Sequence, residues 1–193
     1  MKTIFLHIPK AGGTTILDNL KFQLGKKSVY IDYSVDQKDS LQSLNYYSRL
    51  SEKRKASYKY FVGHFAYHQG LFGGGQNWIT VLRDPIARVV SGHKHLMRVG
   101  GSAIFPDNTI SLIDFVRHPG WRDANNGQVR RLSGCDISSQ MNKADFCVTR
   151  DDLEVAKKNL EKFKFVGISE SIDSQLEQIG SALGLDYMYK IKS

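Results

Sequence analysis

The chain has 193 residues, of which 41% are hydrophobic and 11% aromatic, and its formal net charge is +8. This length and composition are typical of one globular domain with a buried core, and they exclude a disordered or fibrous protein. Two cysteines, Cys135 and Cys147, are too few for a disulfide framework and lack the spacing of metal ligands, although a single bridge between them is an alternative. We therefore predict a single domain over residues 1–193.

The positive charge is concentrated in the first half of the chain. Residues 1–100 contain 15 Lys and Arg against 6 Asp and Glu, whereas residues 101–193 contain 12 against 13. This asymmetry favours an anionic ligand bound by the N-terminal half, with a solvated basic face as the alternative. The sequence shows no signal peptide and no membrane-spanning run, so we predict a cytoplasmic protein without an integral membrane segment.

The stretch HIPKAGGTT, residues 7–15, is the feature around which the other motifs are arranged. A predicted buried strand, Thr3–Ile8, runs into Lys10, two glycines and two threonines, and a predicted helix, Thr15–Phe22, follows and ends at Gly25. Glycines allow a tight turn, and a helix start offers unpaired N–H groups and the positive end of its dipole. The stretch is therefore typical of a phosphate-binding loop. It is not a Walker A loop, because the lysine precedes the glycines.

Three further strands of the first half are predicted from short apolar runs at Ser28–Tyr33, Lys59–Gly63 and Trp78–Leu82. Two of them end in polar side chains, His64 after the third predicted strand and Arg83 after the fourth. A lone residue of either kind is more often structural. In a parallel sheet, however, the carboxyl ends of the strands share one edge, where ligands bind. We expect these two side chains and the lysine of the loop to meet there.

Helices are predicted between and after the strands. Asp84 and Pro85 are typical of an N-cap and first helical residue, and Thr149 with Asp152 resembles a capping box. The other predicted elements are a helix over residues 41–50, a helix capped by Thr109, a short helix over 125–132, a strand at 165–168 and a last helix at 172–183. Strands alternating with helices indicate an α/β fold with a central, mostly parallel sheet flanked by helices.

Several stretches resemble one enzyme family. HIPKAGGTT is similar to the 5′-phosphosulfate loop of sulfotransferases that use 3′-phosphoadenosine 5′-phosphosulfate (PAPS). VLRDPIARVVSGHKHL resembles their 3′-phosphate motif, whose Arg and Ser are eight residues apart, as Arg83 and Ser91 are. KYFVGHFAYH, NGQVRRLSG and FVGISESIDSQLEQI are similar to segments of the branch that includes heparan sulfate 2-O-sulfotransferases and bacterial relatives. The matches cover most of the chain in order.

The resemblance implies a single sulfotransferase domain with a P-loop-like strand, loop and helix, and PAPS as co-substrate without a metal. Lys10 would contact the bridging oxygen and the 5′-phosphate of PAPS. Arg83 and Ser91 would hold the 3′-phosphate, since the Arg side chain offers a planar fork of donors. The rest of the cradle would be formed by Ala11, Gly12, Gly13, Thr14 and Thr15.

His64 is the predicted general base, because histidine can accept the proton of an acceptor hydroxyl near neutral pH. The main alternative is His68, four residues further on. His7 is expected to orient the site, and His93 and His95 are expected to pack or to lie at the surface.

Three more residues are candidates for the cleft. Arg88 would add a phosphate contact or form an ion pair. Gln128 and Arg130 match the family pattern and would line the acceptor or donor cleft, whereas short helices with such residues usually face solvent.

The sequence thus predicts a metal-independent sulfotransferase that acts on a hydroxyl, of a carbohydrate or glycolipid by preference, with a tyrosine phenol and a small metabolite as alternative acceptors. One alternative function is a kinase with a divergent P-loop, for which Asp84 is the one candidate Mg²⁺ carboxylate. Another is a noncatalytic binder of polyanions. No nucleic-acid motif is present, and we predict no nucleic-acid partner.

Overall fold

The computed structural model describes residues 1–25, 27–32, 47–68, 74–100, 109–118, 122–135 and 147–189. A sheet of five parallel strands lies at the centre of this part of the chain, in the order β2, β3, β1, β4, β5. The strands are β1 (Thr3–Leu6), β2 (Val29–Asp32), β3 (Tyr60–Gly63), β4 (Asn77–Leu82) and β5 (Phe165–Ile168). The predicted α/β fold with a parallel central sheet is confirmed.

The sheet is buried on both faces, which explains why its strands are continuous apolar runs. Side chains alternate along β1, so that Ile4 and Leu6 pack into one core cluster with Trp78, and Phe5 packs into a second cluster with Ile179. Each of the three β1 side chains is at most 1% exposed. The two clusters hold helices against opposite faces of the sheet.

The helices of the described ranges are α1 (Gly13–Leu24), α2 (Glu52–Ser57), α3 (Pro85–Arg98), α4 (Leu112–Arg117), α5 (Gly127–Ser133), α6 (Arg150–Leu160) and α7 (Leu176–Leu183), with 3₁₀ turns at Arg122–Ala124 and Ser169–Gln175. Two predicted starts are confirmed. The Asp84 carboxylate caps α3 by accepting from the Ala87 N–H at 2.8 Å. Thr149 and Asp152 form the capping box of α6.

Other predicted bounds need correction. Thr109 does not cap α4: the hydroxyl of Ser111, directly before the helix, accepts from the Asp114 N–H at 3.1 Å. The last predicted helix is a 3₁₀ segment followed by α7, because the backbone at Ser171 is not helical. The strand predicted at Thr3–Ile8 ends at Leu6. Most of the helix predicted over 41–50 lies outside the described residues.

Strand β1 is the topological centre of the sheet. Leu6 is paired with Gly63 of β3 on one side and with Thr80 of β4 on the other. The chain places β2 and β3 on one side of β1, and then crosses to build β4 and β5 on the other. Ligands of open parallel sheets bind at such a crossing, beyond the carboxyl ends of the strands. The loop after β1 occupies this position.

The possible disulfide is not formed: Cys135 and Cys147, which both lie in described ranges, are not bonded to each other. Of the helices in the described ranges, none has the length and apolar character needed to cross a membrane.

Candidate active site

The loop between β1 and α1 turns tightly and leaves the start of α1 open. Lys10 and Gly12 both have left-handed backbones, with φ of 64° and 84°, and the Ala11 N–H donates to the Ile8 carbonyl at 3.2 Å. No side chain caps α1, and its first turn contains no acidic residue. The exposed Thr14 follows at this helix start. The loop therefore presents the positive end of a helix dipole that no carboxylate of the first turn neutralises.

The two glycines of the loop allow close packing of its backbone. A Cβ atom on Gly13 would lie 2.2 Å from Cδ2 of His7, and one on Gly12 would lie 3.1 Å from Oγ of Ser169. The first distance is too short for a Cβ atom unless the His7 ring moves, so the absence of a side chain on Gly13 lets the helix start lie against this ring. The loop thus fits between β1 and the 3₁₀ turn after β5.

Arg83 connects this loop to two other parts of the fold, α5 and the 3₁₀ turn after β5. Its Nη1 donates to the Lys10 carbonyl at 2.9 Å. The side chain of Gln128 brackets the Arg83 backbone, with Oε1 accepting from its N–H at 3.0 Å and Nε2 donating to its carbonyl at 2.8 Å. Oε1 of Glu170 lies 3.7 Å from Nε of Arg83 and accepts from the Asp84 N–H at 3.1 Å. The Arg83 guanidinium is therefore in direct contact with the backbone of Lys10, the other predicted cationic residue of the site.

Lys10 lies in a strongly positive environment. Burial lowers the pKa of Lys10 from its ordinary value, and the charges of Arg98 and Arg83 lower it further. Cγ of Lys10 lies 4.0 Å from the point where a Cβ on Gly92 would be, so the lysine stem runs along α3. Ser91, the other predicted 3′-phosphate residue, is half-buried beside this glycine. An anion bound here would relieve the repulsion among the cations.

His64 lies at the edge of the same loop. It directly follows β3, and its ring centroid is 4.8 Å from that of His7, which in turn contacts Gly13. His68 lies further on, at an exposed position after the buried segment Phe65–Tyr67. The contacts through His7 therefore bring His64 beside the loop.

The other two candidate histidines lie on α3. Nε2 of His93 is 2.8 Å from the Ile110 carbonyl, in the packing between α3 and the segment before α4. Nδ1 of His95 is 3.1 Å from Nη2 of Arg98.

Of the two roles predicted for Arg88, a phosphate contact or an ion pair, the structure shows the ion pair. Its side chain is only 3% exposed and pairs with the Asp123 carboxylate, and Nη1 also reaches the Pro9 carbonyl at 3.4 Å. Arg131 pairs with the same carboxylate. Burial acts to raise the pKa of Asp123, but the charges and hydrogen bonds of Arg131 and Arg88 outweigh it and hold this pKa below its ordinary value. Through the hydrogen bond from Arg88 to the Pro9 carbonyl, this ion-pair network holds the backbone of the loop in place.

Arg130 is also buried, at 3% exposure, and its Nε donates to the Asn125 carbonyl at 2.7 Å, which stabilises the approach to α5. Gln128 contacts Arg83 and so belongs to the site.

Sequence reasoning missed Glu170, Asp123 and Arg98. Only Glu170 had a usable signal, since it closely follows the end of β5, at the ligand-binding edge of the sheet.

A metal-binding cluster of three or more His, Cys, Asp or Glu is absent from the described ranges. The Asp84 carboxylate is engaged as the cap of α3. The one carboxylate that the sequence suggested as a Mg²⁺ ligand of a kinase is therefore used to cap a helix.

Comparison with known proteins identifies the class. Residues 1–192 match the Sulfotransferase family (Sulfotransfer_2), so the chain belongs to this family. The sulfotransferase assignment predicted from the motifs is thereby confirmed, at the level of the family. No curated protein matches the chain in sequence.

Two solved structures show a similar fold. A crystal structure of mouse sulfotransferase SULT7A1 complexed with PAP is 15% identical, with a TM-score of 0.52 over 97% of this chain and 60% of the mouse chain. A sulfotransferase from Alicyclobacillus acidocaldarius is 13% identical, with a TM-score of 0.54 over 100% of this chain and 86% of the bacterial chain. The chain thus spans about three fifths of the mouse structure.

Proposed function

We propose that this protein transfers a sulfuryl group from PAPS to a hydroxyl acceptor, and that the acceptor is a carbohydrate or glycolipid. The observation that carries the proposal is the hydrogen bond from the Arg83 guanidinium to the Lys10 carbonyl, at the loop after the central strand of a chain that belongs to a sulfotransferase family. The complex of mouse SULT7A1 with PAP supports PAPS as the donor.

The donor would bind across the loop and α3. The open N–H groups at the start of α1 and the hydroxyls of Thr14 and Thr15 suit the 5′-phosphate. Arg83 and Ser91 would hold the 3′-phosphate. Lys10 would neutralise the oxygen that bridges phosphorus and sulfur, where negative charge develops as the bond to sulfur breaks. No metal is needed for this step if these cations supply the positive charge.

The transfer requires an in-line arrangement and removal of one proton. The acceptor oxygen forms a bond to sulfur while the bond from sulfur to the bridging oxygen breaks, and the electron pair of that bond stays on the 5′-phosphate. The acceptor proton passes to His64, whose position beside His7 and the loop supports this role. As in phosphoryl transfer, the protein contributes mainly positioning and charge neutralisation.

The proposal is tested by calorimetric titration with adenosine 3′,5′-bisphosphate (PAP), ATP and adenosine 5′-phosphate in the presence of a chelator. We expect the bisphosphate to bind at least about tenfold more tightly than the other two, because charged hydrogen bonds to the 3′-phosphate contribute on that order. Lys10→Met, which keeps the unbranched stem beside Gly92, and Arg83→Ala should each weaken this binding.

Lys158→Gln is the matched control, since it removes one positive charge from an exposed position on α6. Its affinity for the bisphosphate should equal that of the wild type. Preferential binding of ATP, or binding of none of the three nucleotides, would refute the proposed function.

The role of His64 is tested with radiolabelled PAPS and a panel of mono- and oligosaccharides. His64→Gln should lower kcat by about 100-fold or more, the usual contribution of a general base, while PAP binding stays unchanged. His68→Gln is the comparison and should retain activity. The opposite pattern, with activity lost only in His68→Gln, would transfer the role to His68.

A further inference from the structure

Helix α3 turns one face toward the loop between β1 and α1, residues 7–12, which we call the donor loop because the proposed function places PAPS there. Arg88 reaches the Pro9 carbonyl from this face, and one turn later Gly92 lies against the stem of Lys10. Residues three or four positions apart on a helix share a face, so His95 and Arg98 continue this face beyond Gly92. The lysine stem therefore lies beside a row whose last two members are a histidine and an arginine.

His95 and Arg98 form an oriented pair. Nη2 of Arg98 lies 3.1 Å from Nδ1 of His95. Because a guanidinium only donates, Nδ1 must be the acceptor and carries no proton. Burial lowers the pKa of His95, and the charges of Lys10 and Arg98 lower it further, which agrees with a neutral ring. The ring thus restrains the guanidinium on the side of α3 where Lys10 lies.

The charges around Lys10 are unbalanced. Arg98 and Arg83 both act on its amine, and Arg98 has the larger effect of the two. Glu170 contacts Arg83 and the Asp84 N–H. Across the described ranges, neither Lys10 nor Arg98 has a carboxylate within ion-pair distance. Two cations without a carboxylate partner, one of them oriented by a histidine, are suited to an anionic group of a ligand.

We propose that Arg98, oriented by His95, binds the sulfonate of PAPS together with Lys10. This inference rests on the proposed function and adds a residue that contacts the group being transferred. The three terminal oxygens of the sulfonate keep their bonds to sulfur throughout the transfer, and in bound PAPS they share the negative charge of the group. A guanidinium can donate to two of them at once, which holds the sulfonate in line with the acceptor oxygen.

Comparison of PAPS with PAP isolates this contact, since PAP lacks the sulfonate. Titrations in chelator without acceptor should show that Arg98→Gln weakens PAPS binding by about tenfold, the usual effect of a charged hydrogen bond, and leaves PAP binding unchanged. His95→Ala should weaken PAPS binding less. His95→Asn, which keeps an acceptor near Nδ1, should restore it. Lys158→Gln should change neither affinity.

Equal weakening of PAPS and PAP by Arg98→Gln, or no weakening of PAPS, would overturn this inference and leave the proposed function intact. Failure of the wild type to bind PAP would overturn the proposed function and this inference with it.

Discussion

Asp123 is a residue whose importance follows from its contacts and not from its type. Its carboxylate pairs with two guanidinium groups, those of Arg88 and Arg131, and Arg88 also supports the Pro9 carbonyl in the donor loop. The two arginines are 3% and 7% exposed. Without the carboxylate, two buried cations would face each other with no counter-charge, which is costly in a poorly hydrated site.

We expect Asp123→Asn to lower the free energy of unfolding by roughly 3 kcal/mol, the usual cost of removing one member of a buried ion pair. Urea denaturation measures this change. Asp186→Asn, at an exposed position, is the control and should change stability by no more than about 0.5 kcal/mol. Equal stabilities of the two variants would show that the network contributes little.

The same ion pairs predict how stability depends on pH. The pKa of Asp123 in the folded protein lies below its ordinary value of 3.8. A lowered folded-state pKa means that the contribution is complete above the ordinary value and is lost as the pH falls through the lower one. The stability difference between wild type and Asp123→Asn should therefore be constant down to about pH 5 and shrink below about pH 4.

Helix α1 begins against His7, the residue that directly follows β1, and this contact lies between the loop and His64, the proposed general base. The His7 ring lies between Gly13 and the ring of His64. Any side chain on Gly13 must displace the His7 ring, which would in turn shift His64 or the start of α1. The close approach of α1 and His7 should therefore affect both the loop and the position of His64.

Gly13→Ala should weaken PAP binding by about tenfold or more, because its Cβ would lie 2.2 Å from the His7 ring. The double variant Gly13→Ala with His7→Ala should recover part of this affinity, so the two changes would not be additive. Gly180→Ala in α7, whose Cβ would lie 3.4 Å from Cγ of Met188, is the matched control and should bind PAP normally. Additive losses would show that the ring contact is not the cause.

At the scale of the whole molecule, the order of the strands concentrates the cations. Because β1 is central and β4 lies next to it, the loop after β1 and the residue after β4 are neighbours. The Arg83 guanidinium thus donates to the Lys10 carbonyl, although the two residues are 73 positions apart in the sequence. The excess charge of the first half of the chain is thereby placed in part at one edge of the sheet. This arrangement leaves the basic edge without a carboxylate in the first turn of α1, as the proposed binding of an anionic donor requires.

The sequence by itself determined the elements that depend on local interactions. Continuous apolar runs predicted the strands, because both faces of a parallel sheet are buried, and the caps at Asp84 and Thr149 were predictable because their partners lie three residues away. The spacing of the loop residues and of Arg83 and Ser91 was enough to indicate the family, which the match over residues 1–192 confirms.

Only the tertiary structure decided the roles that depend on distant partners. Arg88 was open between a phosphate contact and an ion pair, and its partner Asp123 is 35 residues away. Arg130 was a cleft candidate, and packing buries it within α5. The position of His95 and Arg98 relative to Lys10 depends on the packing of α3 against the loop, which the sequence does not show. Periodicity and caps describe neighbours along the chain, whereas charge pairing is set by which elements the fold brings together.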